Sequence, residues 1–263
     1  MDVRELVRGH YGAGNLSDAI VSALAGAGTD PDRLGPADLF PVDQLHAGGA
    51  PATKHVLEQL DLRPGVRLLD VGCGIGGTTR MAAMSGAEVT GIDLTPEFIE
   101  AATSLTDRVG LRDRVSYVTT PGESAPFDDA SFDAAVMVHV GMNIPRKTVV
   151  FSQVHRVLVP GARFAMFEQM RVGDGDLPYP MPWADDERSS FVETPDEYVA
   201  HLEAAGFTVE KVEDRTGSTL GPPPTGVLSP MTVFGPVFGE RIGNNVAATR
   251  AGQLGAVLVV ARA

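Results

Sequence analysis

The chain has 263 residues, 43% of them apolar and 21% charged, the make-up of a globular protein large enough for one substantial buried core. Its 34 acidic side chains against 21 basic ones leave a net charge of −13, so no basic surface is apparent to neutralise phosphates, and nucleic acid is not an expected partner. Cys73 is the single cysteine, which excludes an intrachain disulfide and makes a reducing cytoplasm the expected setting.

The opening MDVRELVRGHYG is charged through its first eight residues and lacks the apolar stretch of a signal peptide. No uncharged apolar run approaches the length of a membrane span, so no membrane partner is expected. The Asn15-Leu16-Ser17 sequon reads as a chance match. Residues 1–50 read as a helical cover segment: AIVSALAGAG (19–28) is a short apolar helix ending in glycines, and the following stretch is punctuated by Pro31, Gly35, Pro36 and Pro41. Pro51 suits the first turn of a helix running through HVLEQL.

From there apolar strands alternate with helices, the pattern of a parallel sheet with crossovers. The predicted strands are 66–71, 87–93, 114–119, 132–138, 162–169, 207–214 and 254–261. Between them fall the helices TTRMAAMSG, PEFIEAATSLTDRVG, KTVVFSQVHRVL and PDEYVAHLEAAG. The last has Thr194 and Glu197 spaced as a capping box, Pro195 at its first position and Gly206 as its stop. The expected fold is therefore α/β, with a Rossmann-like, seven-stranded, mostly parallel sheet and helices on both faces. Residues 51–263 form the main domain. Two long connections, 171–193 and 217–250, interrupt its later half and have the length of lids or binding loops.

The stretch LLDVGCGIGG (68–77) places glycines at the carboxyl end of the first strand, where ligands of such sheets bind and where a missing Cβ lets the backbone approach them. Asp70 stands two residues before the first glycine. A pyrophosphate at the helix start would be repelled by that carboxylate. S-adenosylmethionine carries no phosphate but has an ammonium, a carboxylate and a sulfonium, and an acid can organise its amino-acid end. Asp93 ends the second strand in GIDL (91–94), placed to accept hydrogen bonds from ribose hydroxyls, or to sit as an acid near the start of the helix beginning at Pro96.

Four ordered motifs, LLDVGCGIGG, VTGIDLTPEFIEAA, PFDDASFDAAVMV and HRVLVPGARFAMFE, resemble the class I S-adenosylmethionine-dependent methyltransferases over about residues 50–215. More narrowly, the chain is similar to the small-molecule branch that includes tocopherol, sterol and sarcosine/dimethylglycine methyltransferases. LPYPMPWADDERSSFVETPDEYVAHLEAAGF resembles a lid-and-helix passage of that branch. The resemblance implies S-adenosylmethionine as cofactor, S-adenosylhomocysteine as product, a small-molecule substrate and no metal. It places Asp70, Gly72, Cys73 and Gly74 at the methionine end, Asp93 on the ribose, Leu94 against adenine, and Val138 at the end of the fourth strand beside the donor. Tyr11 and His46 fall in the segment that covers the donor, with a packed loop as the alternative. The family often has a Gly-Asp-Ala step whose aspartate reaches the adenine amino group. Here Thr120-Pro121-Gly122-Glu123 stands instead, so Gly122 and Glu123 are the expected substitutes. A homodimer is left open.

Methyl transfer from a sulfonium needs a general base only where the acceptor must lose a proton. His139 follows the fourth strand and is a candidate base or a satisfied strand-end histidine. Glu168, in the apolar run FAMFEQM, is a candidate base or cation-binding group if it faces the cleft, and an exposed strand-end acid if it does not. Met142 and Asn143 are expected in the acceptor pocket together with His46. Tyr179 and Trp183 form either a lid wall over the substrate or a proline–aromatic staple within the insertion. Cys73 has no neighbour placed to activate it and reads as a packed residue. An NAD(P)-dependent oxidoreductase is the runner-up; Asp70, the glycine spacing and the lack of a Tyr-x-x-x-Lys dyad count against it. Nitrogen, oxygen and carbon acceptors all stay open.

Overall fold

The computed structural model describes residues 16–220 and 228–263; Tyr11 lies outside them. The strands are β1 Arg67–Val71, β2 Glu88–Asp93, β3 Val115–Thr119, β4 Phe132–Val138, β5 Leu158–Arg171, β6 Thr208–Asp214 and β7 Leu254–Arg262. They form one sheet in the order β3-β2-β1-β4-β5-β7-β6. Pairing is parallel from β3 to β5, and β7 runs antiparallel between β5 and β6. β1, β4, β7 and the later part of β5 are covered on both faces, which is why they read as continuous apolar runs. β6, at one edge, alternates exposed and half-buried positions, and its charged side chains discourage further pairing. β5 begins at Leu158, four residues before its expected start, directly where the preceding helix ends.

The helices are α1 Leu16–Gly26, α2 Phe40–Asp43, α3 Gly49–Leu57, α4 Gly77–Ala83, α5 Pro96–Arg108, α6 Lys147–Val157, α7 Pro195–Ala204, α8 Thr216–Thr219, α9 Pro230–Phe234 and α10 Phe238–Arg250. α7 opens on the predicted capping box, with Thr194 N donating to Glu197 Oε2 at 2.8 Å and Glu197 N to Thr194 Oγ1 at 3.3 Å. Val150, Phe151, Tyr198 and Leu202 of α6 and α7 bury one face of the sheet against Leu69, Met137, Phe164 and Met166. Val56, Leu57, Ala82 and Ala83 of α3 and α4 bury the other against Leu68, Val136, Ala165 and Phe167.

A third cluster joins the beginning of the chain to the second insertion. Ile20, Leu24, Leu39 and Val42 pack with Phe98, Leu105, Phe234 and Phe238. The first insertion is fastened to the second as well: Arg241 Nη1 donates to the Met181 carbonyl at 2.7 Å and Asn244 Nδ2 to the Pro180 carbonyl at 2.9 Å. Among the described residues no helix is long and apolar enough to cross a membrane, and no cluster of His, Cys, Asp and Glu could hold a metal ion.

One ion pair is sealed inside this arrangement. Arg80 of α4 and Asp43 of α2 meet at 2.9 Å, both with fully buried side chains. Removing one partner leaves a charge unpaired in a medium that penalises it. Asp43→Ala is expected to lower stability by about 3–5 kcal/mol, and the double variant Asp43→Ala with Arg80→Met by clearly less, as read from urea unfolding midpoints.

Candidate active site

Strand order reverses between β1 and β4, and ligands of open α/β sheets bind outside the carboxyl ends at such a reversal. Two turns leave the sheet there. The first is the glycine loop. Gly72 N and Cys73 N donate to the Ile92 carbonyl at 2.8 and 3.0 Å. Gly74 N donates to Asp93 Oδ2 at 3.0 Å and Thr95 N to Asp93 Oδ1 at 2.8 Å, so one carboxylate pins the loop and opens the next helix. Gly72 has φ +73°, and a Cβ on it would lie 2.4 Å from Val140 Cγ2, which brings the second turn against the first. A Cβ on Gly74 would meet nothing, so the loop borders open space there. Leu94, immediately after Asp93, is exposed.

Asp70 lies beneath the loop. It is buried and accepts a hydrogen bond from Thr79 Oγ1 at 2.6 Å. Burial pushes its pKa up to about 7 against that bond, and the nearby Asp93 charge adds to the rise. Cys73 is buried, and burial together with Asp70 and Asp93 pushes its thiol well above the ordinary range, which leaves it a protonated packing residue. Gly122 and Glu123 sit in a short turn, Gly122–Ser124, with Glu123 Oε1 3.9 Å from Arg146 Nη2.

The second turn follows Val138, the last residue of β4. His139 adopts φ +54°, a left-handed conformation that a side chain rarely takes, and its N–H donates to the Phe167 carbonyl at 2.8 Å. Its ring lies 5.4 Å from that of His46 and 5.4 Å from that of Phe167. His139 Nε2 is sealed from solvent without a hydrogen-bond partner among the described residues. Burial, and then the neighbouring His46, holds this imidazole well below its ordinary pKa. His46 is engaged at both nitrogens: Nδ1 donates to the Ala47 carbonyl at 3.0 Å and Nε2 lies 2.8 Å from Thr53 Oγ1. Thr53 Oγ1 donates to Gln44 Oε1 at 2.5 Å and Gln44 Nε2 to Asp43 Oδ1 at 2.9 Å, so the chain of bonds ends on the buried Arg80–Asp43 pair.

Residues 69–166 match the family described as methyltransferase domain. That match covers the strands β1 to β4 and most of β5. Its relatives include the sterol 4-C-methyltransferase of Caenorhabditis elegans, 34% identical over 122 residues, or 46% of this chain and 36% of that protein. A methyltransferase of Penicillium fellutanum is 30% identical over 167 residues, or 61% of this chain and 51% of that protein. The chain thus spans about a third to a half of the length of these curated relatives. Among solved structures, geranyl diphosphate methyltransferase in complex with SAM superposes with a TM-score of 0.65 at 22% identity, over 81% of this chain and 84% of that one. A 4+2 cyclase superposes with a TM-score of 0.70 at 22% identity, over 100% of this chain and 97% of that one. At such identities these two neighbours establish the fold, which is the Rossmann-like methyltransferase fold.

Within this fold, the structure corrects two expectations. Glu168 is not a cleft carboxylate. It follows Phe167 on β5 and points to the opposite face of the sheet, toward Tyr198, and is fully buried. There it accepts from Val140 N at 3.1 Å and Gly141 N at 3.0 Å, bracing the second turn. Tyr198 Oη, buried and without a partner among the described residues, lies where a Cβ on Gly141 would fall within 2.0 Å. Lys147 Nζ completes this side, donating to the Phe191 carbonyl at 2.7 Å and standing 3.3 Å from Glu193 Oε1. The second correction concerns Tyr179 and Trp183, which pack with Leu177, Met181, Ala248 and Leu254, while Trp183 Nε1 donates to Ser190 Oγ at 2.8 Å. They staple the first insertion to the start of β7 and to α10. Met142 is buried with its carbonyl accepting from Phe191 N at 2.9 Å, and Asn143 is exposed.

Burial pushes the Glu168 carboxyl up to about 8 against the two backbone N–H groups and Lys147, which favour its ionised form. The folded state therefore holds this proton more tightly than the unfolded chain does. Below about pH 4.5 both states carry it; the cost of ionising the buried group develops as pH rises from there through about 8. Glu168→Gln lacks that cost, so its stability relative to the native protein is expected to improve between pH 5 and pH 8. Glu168→Ala strands the two N–H donors and is expected to fall below Glu168→Gln by about 1–3 kcal/mol. Urea unfolding of the three proteins across that pH range checks both.

Proposed function

We propose that this protein transfers the methyl group of S-adenosylmethionine to a small-molecule acceptor and releases S-adenosylhomocysteine. The observation that carries the reading is the glycine loop at the sheet's reversal, pinned by Asp93 and bordered by open space at Gly74. The residues fit the donor. The Asp93 carboxylate stands beside the glycine loop at the end of β2, the strand end from which an acid reaches ribose hydroxyls. Exposed Leu94 offers an apolar wall for adenine, and the turn at Gly122 and Glu123 is the substitute for the family's missing aspartate. Asp70 serves from below, tying β1 to α4 through Thr79, while Gly72, Gly74 and Val138 present backbone to the methionine end.

Bound there, the donor supplies an activated methyl on a sulfonium, so positioning and exclusion of water account for most of the rate. His139 and His46 stand on the acceptor's side of the loop, with Met142 behind the second turn. The relatives named for sterols, and the neighbour named for geranyl diphosphate, support a small organic acceptor, and a role in secondary metabolism follows from that. A cytoplasmic setting accords with the single buried thiol. The oxidoreductase alternative is not favoured, since it calls for a pyrophosphate directly above Asp70.

Asp93→Ala removes both the ribose acceptor and the pin on the loop. It is expected to weaken S-adenosylhomocysteine binding by more than tenfold, or at least about 1.4 kcal/mol. Calorimetry on the native and variant proteins measures it, with circular dichroism to confirm the fold; equal affinities would remove the donor reading.

A further inference from the structure

The acceptor site has a polar feature that the donor reading leaves unused. His139 Nε2 is a buried ring nitrogen with no hydrogen-bond partner among the described residues, on a residue held at φ +54°. A buried polar atom left unpaired is costly, and a side chain held in left-handed backbone is strained, so both features ask for a compensating role. The neighbouring ring does not satisfy it: His46 turns Nδ1 to the Ala47 carbonyl and Nε2 toward Thr53 Oγ1. Resting on the methyltransferase reading, we infer that the acceptor presents an uncharged O–H to His139 Nε2, and that this nitrogen takes the hydroxyl proton as the oxygen is methylated.

The surroundings select among acceptor classes. His46, His139 and Phe167 form an uncharged wall, with both imidazoles held toward their neutral forms by burial. An ammonium acceptor would need a carboxylate on that wall. Glu168, on the neighbouring strand position, is turned to the other face and occupied by Val140 N and Gly141 N. Asp70 is beneath the loop on Thr79. A carboxylate acceptor would need a cation, but Arg80 is paired with Asp43, and Lys147 lies with Glu193 and the Phe191 carbonyl on the face opposite. An alkene carbon offers no donor to the orphaned nitrogen. A neutral hydroxyl satisfies it directly.

The step balances without a further reagent. An oxygen lone pair forms the new C–O bond while the carbon–sulfur pair remains on sulfur, leaving a neutral thioether. The O–H proton passes to Nε2, and the resulting imidazolium returns it to water. A base of depressed pKa suffices, because an oxygen gaining a methyl group becomes strongly acidic as the bond forms.

The test uses the full chain labelled with nitrogen-15 histidine and saturated with S-adenosylhomocysteine, probed at millimolar concentration with phenol, anisole and benzylamine. Phenol carries the O–H; anisole has the same ring with the oxygen already methylated. The expected result is a shift of the His139 Nε2 resonance with phenol, and little or none with anisole or benzylamine. His139→Gln should weaken phenol binding at least tenfold and leave S-adenosylhomocysteine affinity within twofold. Equal responses to phenol and anisole in the native protein, or no phenol response, would overturn the inference even if the variant does not fold. Loss of S-adenosylhomocysteine binding to the native protein would instead overturn the donor reading on which it rests.

Discussion

Two backbone turns meet where the sheet reverses direction, and each is held by a carboxylate on the strand next outward. Asp93, ending β2, receives the N–H groups of Gly74 and Thr95; Glu168, near the end of β5, receives those of Val140 and Gly141. The two turns then touch through Gly72 and Val140, with no room for a side chain on the glycine. A carboxyl oxygen accepting backbone N–H groups in a poorly solvated place makes directional bonds, so the positions of both turns are set from outside the site. That leaves the inner edges of the turns free for ligand: open space at Gly74 on one side and the orphaned nitrogen of His139 on the other.

The layers behind these turns explain how much of the fold could be read from the chain. Strands covered on both faces give unbroken apolar runs, and the turns and helices between them carry strong punctuation: Gly72 to Gly77, Pro96, Gly206, and the Thr194–Glu197 box. All seven predicted strands are present, within a residue or so at most ends. The exception is the start of β5, where the chain passes from α6 into strand without a loop and Pro160-Gly161 looks like a break. The association of the first helices with the second insertion was not legible, since Leu39 and Phe234 have nothing in their local patterns to point at each other.

The placement of the candidate residues was legible around the glycine loop and only partly around the second turn, for a physical reason. Glycines and strand-end acids sit at positions that the topology alone brings to the sheet's reversal, so placing Gly72, Gly74 and Asp93 there needs no knowledge of packing. Side-chain direction in β5 is another matter. An amphipathic strand announces its two faces by alternation, but FAMFEQM is buried throughout, and nothing in it says that Phe167 faces His139 while Glu168 faces Tyr198. The line from Arg80 through Asp43, Gln44 and Thr53 to His46 likewise joins residues whose spacing carries no motif. Its polar members look like ordinary helix and loop residues until the fold buries them together.

The contrast between the protein's exterior and its acceptor wall bears on what it can select. The chain carries a large negative net charge, yet the buried charged groups Arg80, Asp43 and Lys147, and the Glu168 carboxyl, are each engaged internally, in pairs or on backbone. A long-range negative field draws cations toward the molecule in general, but field strength falls with screening, and recognition at contact depends on the groups that remain unpaired. Here the unpaired group is an imidazole nitrogen in an uncharged setting. On the proposed reading specificity would come chiefly from rejection: an ammonium or carboxylate entering this wall would lose its hydration without gaining a counter-charge, a penalty larger than any single neutral hydrogen bond returns. A fold of this kind does not fix a chemistry, so on the proposed reading the wall rather than the sheet would decide the acceptor.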